Sequence, residues 1–153
     1  MPRVEQTVDI SASPETVWFF LSDPTYTPKL VPDMISNEAE PAGPAVEGQK
    51  TRGILKVAGR KMKVFTEVTE VVQSRKLVQN QRPGGMFKSL SFTFTLDPTN
   101  EGTRATQTLD YEVSMGYFGK VLNSLVVNRV VNKNARAYLT NLKKTAELKA
   151  KPK

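Results

Sequence analysis

Hydrophobic residues change their spacing along this chain, and each change marks an element. From Arg3 to Ile10 they alternate: Val4, Val8 and Ile10 fall on one side with Gln6 among them, while Arg3, Glu5, Thr7 and Asp9 fall on the other. A period of two predicts a half-buried strand. Ser13 then stands where a helix cap is needed. Pro14 follows in the first position, Glu15 in the first turn, and Val17, Trp18, Phe20 and Leu21 supply buried surface, which predicts a short helix over 14–22. Asp23-Pro24 repeats the capping arrangement for a second brief turn, limited by Pro28 and Pro32.

Between Asp33 and Met115 the helical period disappears. Runs rich in Val, Thr and Phe are separated by turn residues, the pattern of an antiparallel meander, with strands expected over 34–40, 49–57, 61–73, 76–81, 87–96 and 104–114. The expected breaks are Pro41-Ala-Gly-Pro44, Ala58-Gly-Arg60, Ser74-Arg75, Pro83-Gly-Gly85 and a longer turn over 97–102. In the last two strands Leu90, Phe92, Phe94 and Leu96 oppose Ser89, Ser91, Thr93 and Thr95. Likewise Ala105, Leu109, Tyr111, Val113 and Met115 oppose Arg104, Thr106, Thr108, Asp110 and Glu112. One face is apolar and the other wet, so a single layer must cover the sheet.

Gly119–Lys149 is the stretch able to supply that layer. Val127, Val131, Ala135, Tyr138, Leu142 and Ala146 recur at helical spacing, and Lys133, Arg136, Lys143 and Lys144 fill the polar side. About 30 residues of helix span roughly 45 Å. The half from Val121 to Val131 is apolar on more than one face, so it is expected to be covered from several sides or to roof an interior space.

The order strand, two short helices, six-strand meander and long C-terminal helix resembles the helix-grip fold of the START/SRPBCC superfamily, which includes pollen-allergen-like, polyketide cyclase/dehydrase-like and lipid-transfer proteins. Val8-Asp-Ile-Ser-Ala-Ser-Pro-Glu-Thr-Val-Trp18 followed by Leu21-Ser-Asp23 looks like that superfamily's opening strand and first helix. Val68-Thr-Glu-Val71 followed by Arg75-Lys-Leu-Val78 resembles its central hairpin. The resemblance implies a single α+β domain over 1–149 with a basic tail over 150–153. In it a curved antiparallel sheet of seven strands wraps round the final helix and leaves a cavity for a hydrophobic ligand. The candidate lining of that cavity is Met62, Val64, Phe92, Phe94, Gln107, Leu109, Tyr111 and Met115 on the sheet side, with Phe118, Leu122, Val126 and Val130 on the helix side. Gly84, Gly85, Met86 and Phe87 form a candidate gate, since Gly-Gly rearranges at little cost and Met-Phe offers an apolar latch.

Composition narrows the chemistry. The chain has neither cysteine nor histidine, which removes disulfides, thiolate or imidazole metal sites and the usual nucleophile and base. No metal and no cofactor is expected. Gln6, Gln107 and Tyr111 are the inward polar groups, and Arg82 is expected over the cavity mouth. Tyr111 could protonate an enolate and Arg82 hold a carbonyl or carboxylate, which is what a polyketide-cyclase-like enzyme would need for an aromatic or acyl substrate. No inward carboxylate offers a base, so binding or transport of a small hydrophobic ligand or lipid is the leading expectation, with catalysis the alternative.

The net charge of +7 is uneven: residues 1–47 hold two basic and eight acidic groups, residues 48–153 twenty and seven. Lys50, Arg52, Lys56, Arg60, Lys61 and Lys63 crowd one acid-free stretch, which would suit transient contact with an anionic membrane surface. Aromatics are not interleaved with these cations, which weighs against nucleic acid. The first residues are charged and alternating and no window holds 18 apolar residues, so a cytoplasmic protein is expected.

Overall fold

In the computed structural model, which describes residues 3–57, 59–82, 87–113 and 124–150, the first alternating segment is strand β1, Arg3–Ile10. Its Val4 and Ile10 are buried. The Thr16 amide donates to Ser13 Oγ at 3.2 Å and so starts helix α1, Pro14–Ser22, which buries Val17, Trp18, Phe20 and Leu21. Burying each side chain of this size stabilises the fold by about 1.5–3 kcal/mol. The Asp23 carboxylate caps the next turn by accepting from the Thr25 amide at 3.0 Å, and a 3-10 turn over Pro24–Tyr26 leads into α2, Thr27–Leu30.

Strands β2 (Met34–Glu40), β3 (Lys50–Val57), β4 (Arg60–Val72), β5 (Lys76–Gln81), β6 (Phe87–Thr99) and β7 (Gly102–Val113) follow. They form one antiparallel sheet in the order β1-β7-β6-β5-β4-β3-β2, so the first strand pairs with the last. The expected six-residue break over 97–102 is shorter: β6 runs on to Thr99 and Pro98 pairs with Thr103. The cause is tertiary. This hairpin packs on the end of β1, where Thr103 Oγ1 donates to the Ala12 carbonyl at 2.7 Å. Gly102 has φ +150°, and a Cβ there would collide with the Ile10 carbonyl oxygen, so the close approach of the two backbones requires glycine.

Register defines the inner face. Val4, Leu109, Phe92 and Gln79 stand in one row across β1, β7, β6 and β5, and Gln6, Gln107, Phe94 and Leu77 in the next. A third row on the other side runs Tyr111, Leu90, Gln81, Thr66 and Thr51, from β7 to β3. A shift between Val68 and Glu70 in β4 brings both Val68 and Val71 to this face.

Helix α3, Ser124–Ala150, has 27 residues and lies along β1 and against α1. It buries Val131, Ala135, Tyr138, Leu139, Leu142 and Ala146, while Lys133, Arg136 and Lys144 are exposed as the spacing predicts. Lys143 is only partly exposed, because its Nζ donates to the Asp9 carbonyl and to Glu147 Oε2, each at 2.7 Å. Asn141 Nδ2 donates to the Leu30 carbonyl at 3.0 Å and ties the helical corner to α3. A curved seven-stranded antiparallel sheet thus holds one long helix, which is the α+β helix-grip arrangement expected.

Candidate functional site

Two clusters of buried side chains lie between α3 and the sheet. The larger joins Val17, Trp18 and Leu21 of α1 to Leu77, Phe94, Leu96, Tyr138, Leu139 and Leu142. Phe94 and Tyr138 meet there with ring centroids 5.1 Å apart, and burial pushes the Tyr138 phenol well above its ordinary pKa. The smaller joins Val4, Leu90, Leu109 and Tyr111 to Val131 and Ala135. Phe92 touches both and is itself only partly buried, although it stands in the middle of the inner face on a central strand. Gln79, Gln81, Val64 and Thr66 on the same face are also partly open. The inner surface is therefore closed from the Phe94 row toward α1, and beyond it partial exposure falls on Phe92, Gln79, Gln81, Thr66 and Val64, with Val68, Leu90 and Tyr111 buried among them.

Polar groups gather at that boundary. Gln6 Nε2 donates to Asn132 Oδ1 at 2.8 Å, Asn132 Nδ2 to Asn128 Oδ1 at 2.9 Å, and Asn128 Nδ2 to the Tyr111 hydroxyl at 3.4 Å. Gln107 lies between Gln6 and Phe94 in register, is 3% exposed, and has an Oε1 with no donor among the described residues. An amide oxygen left in that state costs about 1–3 kcal/mol. These groups are neutral amides and a phenol. They can satisfy a hydrogen-bonding end of an apolar molecule, and they supply no base. The nearby carboxylates face outward, Asp110 paired with Arg3 at 2.7 Å and Glu112 with Lys88 at 3.7 Å.

Of the expected lining, Phe94, Gln107, Leu109 and Tyr111 are brought together as buried groups with Phe92 half-buried beside them, while Val64 is half-buried further out on β4, opposite Gly53. Met62 and Val130 are not part of this assembly, being 45% and 53% exposed. Met62 lies on β4 beyond the last pair with β5, Thr66 and Gln81, so among the described residues no strand pairs with it on that side. Val130 sits one position off the buried stripe that starts at Val131, next to exposed Arg129, so the expected all-round covering of this half of the helix does not extend to it. Arg82 is also misplaced by the sequence reading: its guanidinium lies 5.1 Å from the ring centroid of Phe65, whose side chain is on the convex face. Tyr111 is on the concave face, so the alternative catalytic pair is split between the two sides of the sheet. Met115, Phe118 and Leu122, and Gly84, Gly85 and Met86 of the candidate gate, lie outside the described residues, as do the side chains of Phe87 and Val126.

The sequence reading missed Asn128 and Asn132. Their spacing of four, in step with Ala135 and inside an otherwise apolar half-helix, was the available signal. A separate groove of about 330 Å³ runs along β3, β4 and β5 beside Lys50, Thr51, Phe65, Thr66, Asn80 and Arg82, away from these groups.

A family model described as polyketide cyclase / dehydrase and lipid transport matches residues 1–147. Among curated proteins none matches at a significant level. Among solved structures, TTHA0849 from Thermus thermophilus is similar with a TM-score of 0.78 and 26% identity, over 98% of this chain and 100% of that one. The Zhui aromatase/cyclase from Streptomyces sp. R1128 is similar with a TM-score of 0.81 and 20% identity, over 98% and 96%. Ara h 8.0201 is similar with a TM-score of 0.74 and 14% identity, over 95% and 97%. The last two likenesses are likenesses of fold.

Proposed function

The chain belongs to the polyketide cyclase/dehydrase and lipid transport family, and from that premise we propose that it binds and carries a small hydrophobic molecule or lipid between the sheet and α3. The observation that carries this reading is the partial exposure of Phe92 on the inner face. Phe92 is part of both buried clusters and yet only half-buried, while Phe94, one row away, is 4% exposed against Tyr138. A filled core would have closed over both. Transport rather than turnover is supported by the neutral character of Gln6, Gln107, Tyr111, Asn128 and Asn132 and by the position of Arg82 on the other face. In this reading the protein works in the cytoplasm and takes its ligand from, or delivers it to, an anionic membrane surface. Among the described residues no helix is long and apolar enough to cross a membrane.

One observation favours a cyclase-like reading: the Tyr111 hydroxyl is held by Asn128 at 3.4 Å on the apolar inner surface, where it could donate a proton. Two variants separate the possibilities. Phe92→Trp adds bulk where the surface is open, so it is expected to leave the melting temperature nearly unchanged and to block a fluorescent fatty-acid analogue. In a closed core the same change would cost about 1–3 kcal/mol. Tyr111→Phe is expected to retain most probe binding, whereas an enzyme relying on that hydroxyl would lose about 10²–10⁴-fold in turnover. A strongly destabilised Phe92→Trp together with a wild type that takes up no probe would defeat the carrier reading.

A further inference from the structure

The β3–β4 hairpin carries its charge in an arrangement that the folded protein alone does not compensate. Lys56 and Lys61 are direct cross-strand partners, and Lys63 pairs with Ile54 on the same side two residues along each strand. Like charges placed directly opposite one another destabilise a sheet. Lys56, Arg60, Lys61 and Lys63 are all exposed, and among the described residues none of them makes an ion pair; Arg52, further from the turn, does so with Glu38 at 2.8 Å. The opposite side of the same hairpin is apolar behind Arg60, which stands at its tip. Leu55 pairs with Met62 and Gly53 with Val64, and Met62 is 45% exposed. That side is continuous with the concave face, since the next row inward is Thr51, Thr66 and Gln81, leading to Leu90 and Tyr111.

We propose that this hairpin is a membrane-docking element: its lysines, with Arg60 reaching out from the tip, engage the headgroups of an anionic bilayer while Leu55 and Met62 on the other side meet the acyl boundary. The occupant is a lipid surface because the element is two-sided. A nucleic acid or an acidic protein would satisfy the cations and leave Met62 in water, whereas a bilayer offers charge and hydrocarbon within a few ångströms. The inference rests on the carrier reading for its purpose: the apolar side would form a continuous path from the bilayer to the Phe92 region. Docking itself is measurable without any internal ligand.

The test is cosedimentation with phosphatidylcholine vesicles, with and without phosphatidylglycerol, at low salt. Wild type is expected to bind the anionic vesicles, to bind the neutral ones poorly, and to be released as salt rises, because exposed charges are screened beyond a Debye length of about 10 Å at 0.1 M. Each Lys or Arg near such a surface contributes roughly fivefold, so the Lys56→Gln/Lys61→Gln double variant is expected to bind roughly 30-fold more weakly. Its melting temperature should be unchanged or higher, since the like-charge pair is removed, and its uptake of the fatty-acid analogue in solution should be unchanged. Met62→Ser should weaken vesicle binding severalfold, and Lys133→Gln/Lys144→Gln on α3 should leave it nearly unaltered. Equal binding to neutral and anionic vesicles would overturn the proposal, as would vesicle binding that survives Lys56→Gln/Lys61→Gln or falls chiefly with the α3 pair. A single-stranded oligonucleotide that binds through the same lysines more tightly than the vesicles do would overturn it too. Docking through the hairpin with no uptake of the probe would sustain this proposal and defeat the carrier reading.

Discussion

Gln107 presents the clearest conflict at the scale of one residue. Its side chain is 3% exposed in the middle of the inner face, and its Oε1 has no donor among the described residues, a state that an apolar side chain of similar volume would avoid. A group kept in such a state is expected to be satisfied by what binds there. Gln107→Met should therefore raise the unfolding free energy by about 1 kcal/mol or more in denaturant titrations. It should also narrow the affinity difference between a hydroxylated apolar ligand and its hydroxyl-free analogue. If the variant is less stable than wild type, the oxygen is serving the empty protein, through an interior water, and has no role in recognition. Asn128 and Asn132 differ from Gln107 in being joined into a chain with Gln6 and Tyr111, so truncating either leaves a partner unsatisfied and should lower stability.

At the scale of elements, α3 does two jobs along one axis. Its C-terminal part is sealed, with Tyr138, Leu139, Leu142 and Ala146 against α1 and the sheet, while its earlier turns, from Asn128 to Ala135, carry the amide chain and the smaller cluster. The Tyr138 phenol reports on the sealed part. Burial raises its pKa in the folded state above the ordinary value of about 10. Its stabilising contribution is thus fully present below pH 10 and is lost as pH rises through the folded value, because the unfolded chain releases the proton first. The difference in unfolding free energy between wild type and Tyr138→Phe should be flat up to about pH 10 and then decline by about 1.4 kcal/mol per pH unit. A difference that stays flat to higher pH would mean that water reaches the phenol and that this end of the helix is not closed.

At the scale of the whole molecule, a protein that takes a ligand against the partly exposed Phe92, as proposed, should gain stability when that ligand is bound. A ligand at a hundred times its dissociation constant adds about 2.7 kcal/mol, and for a domain of this size each kcal/mol moves the melting temperature by about 2–4 °C. Saturation with the preferred ligand is thus expected to raise melting by roughly 5–10 °C, read by calorimetry against ligand concentration.

Sequence alone determined which way most side chains face. The alternation of β1, β6 and β7 placed Val4, Gln6, Phe92, Phe94, Gln107, Leu109 and Tyr111 on one face, the caps at Ser13 and Asp23 located the helical corner, and the repeat from Val131 to Ala146 marked the buried stripe of α3. All of these are local properties, because the periods of strand and helix fix orientation from a few neighbouring residues. Tertiary structure decided what covers each face. It left Val130 and Met62 exposed, turned Arg82 toward Phe65 on the convex side, and drew the β6–β7 turn tight where Gly102 meets the Ile10 carbonyl. It also joined Asn132 to Gln6, 126 positions away in the chain, and Asn128 to Tyr111, 17 positions away. Those outcomes depend on how far apart distant elements come to rest, a distance that no local period encodes, and for that reason the partial exposure of Phe92 beside buried Phe94 became visible only in the folded molecule.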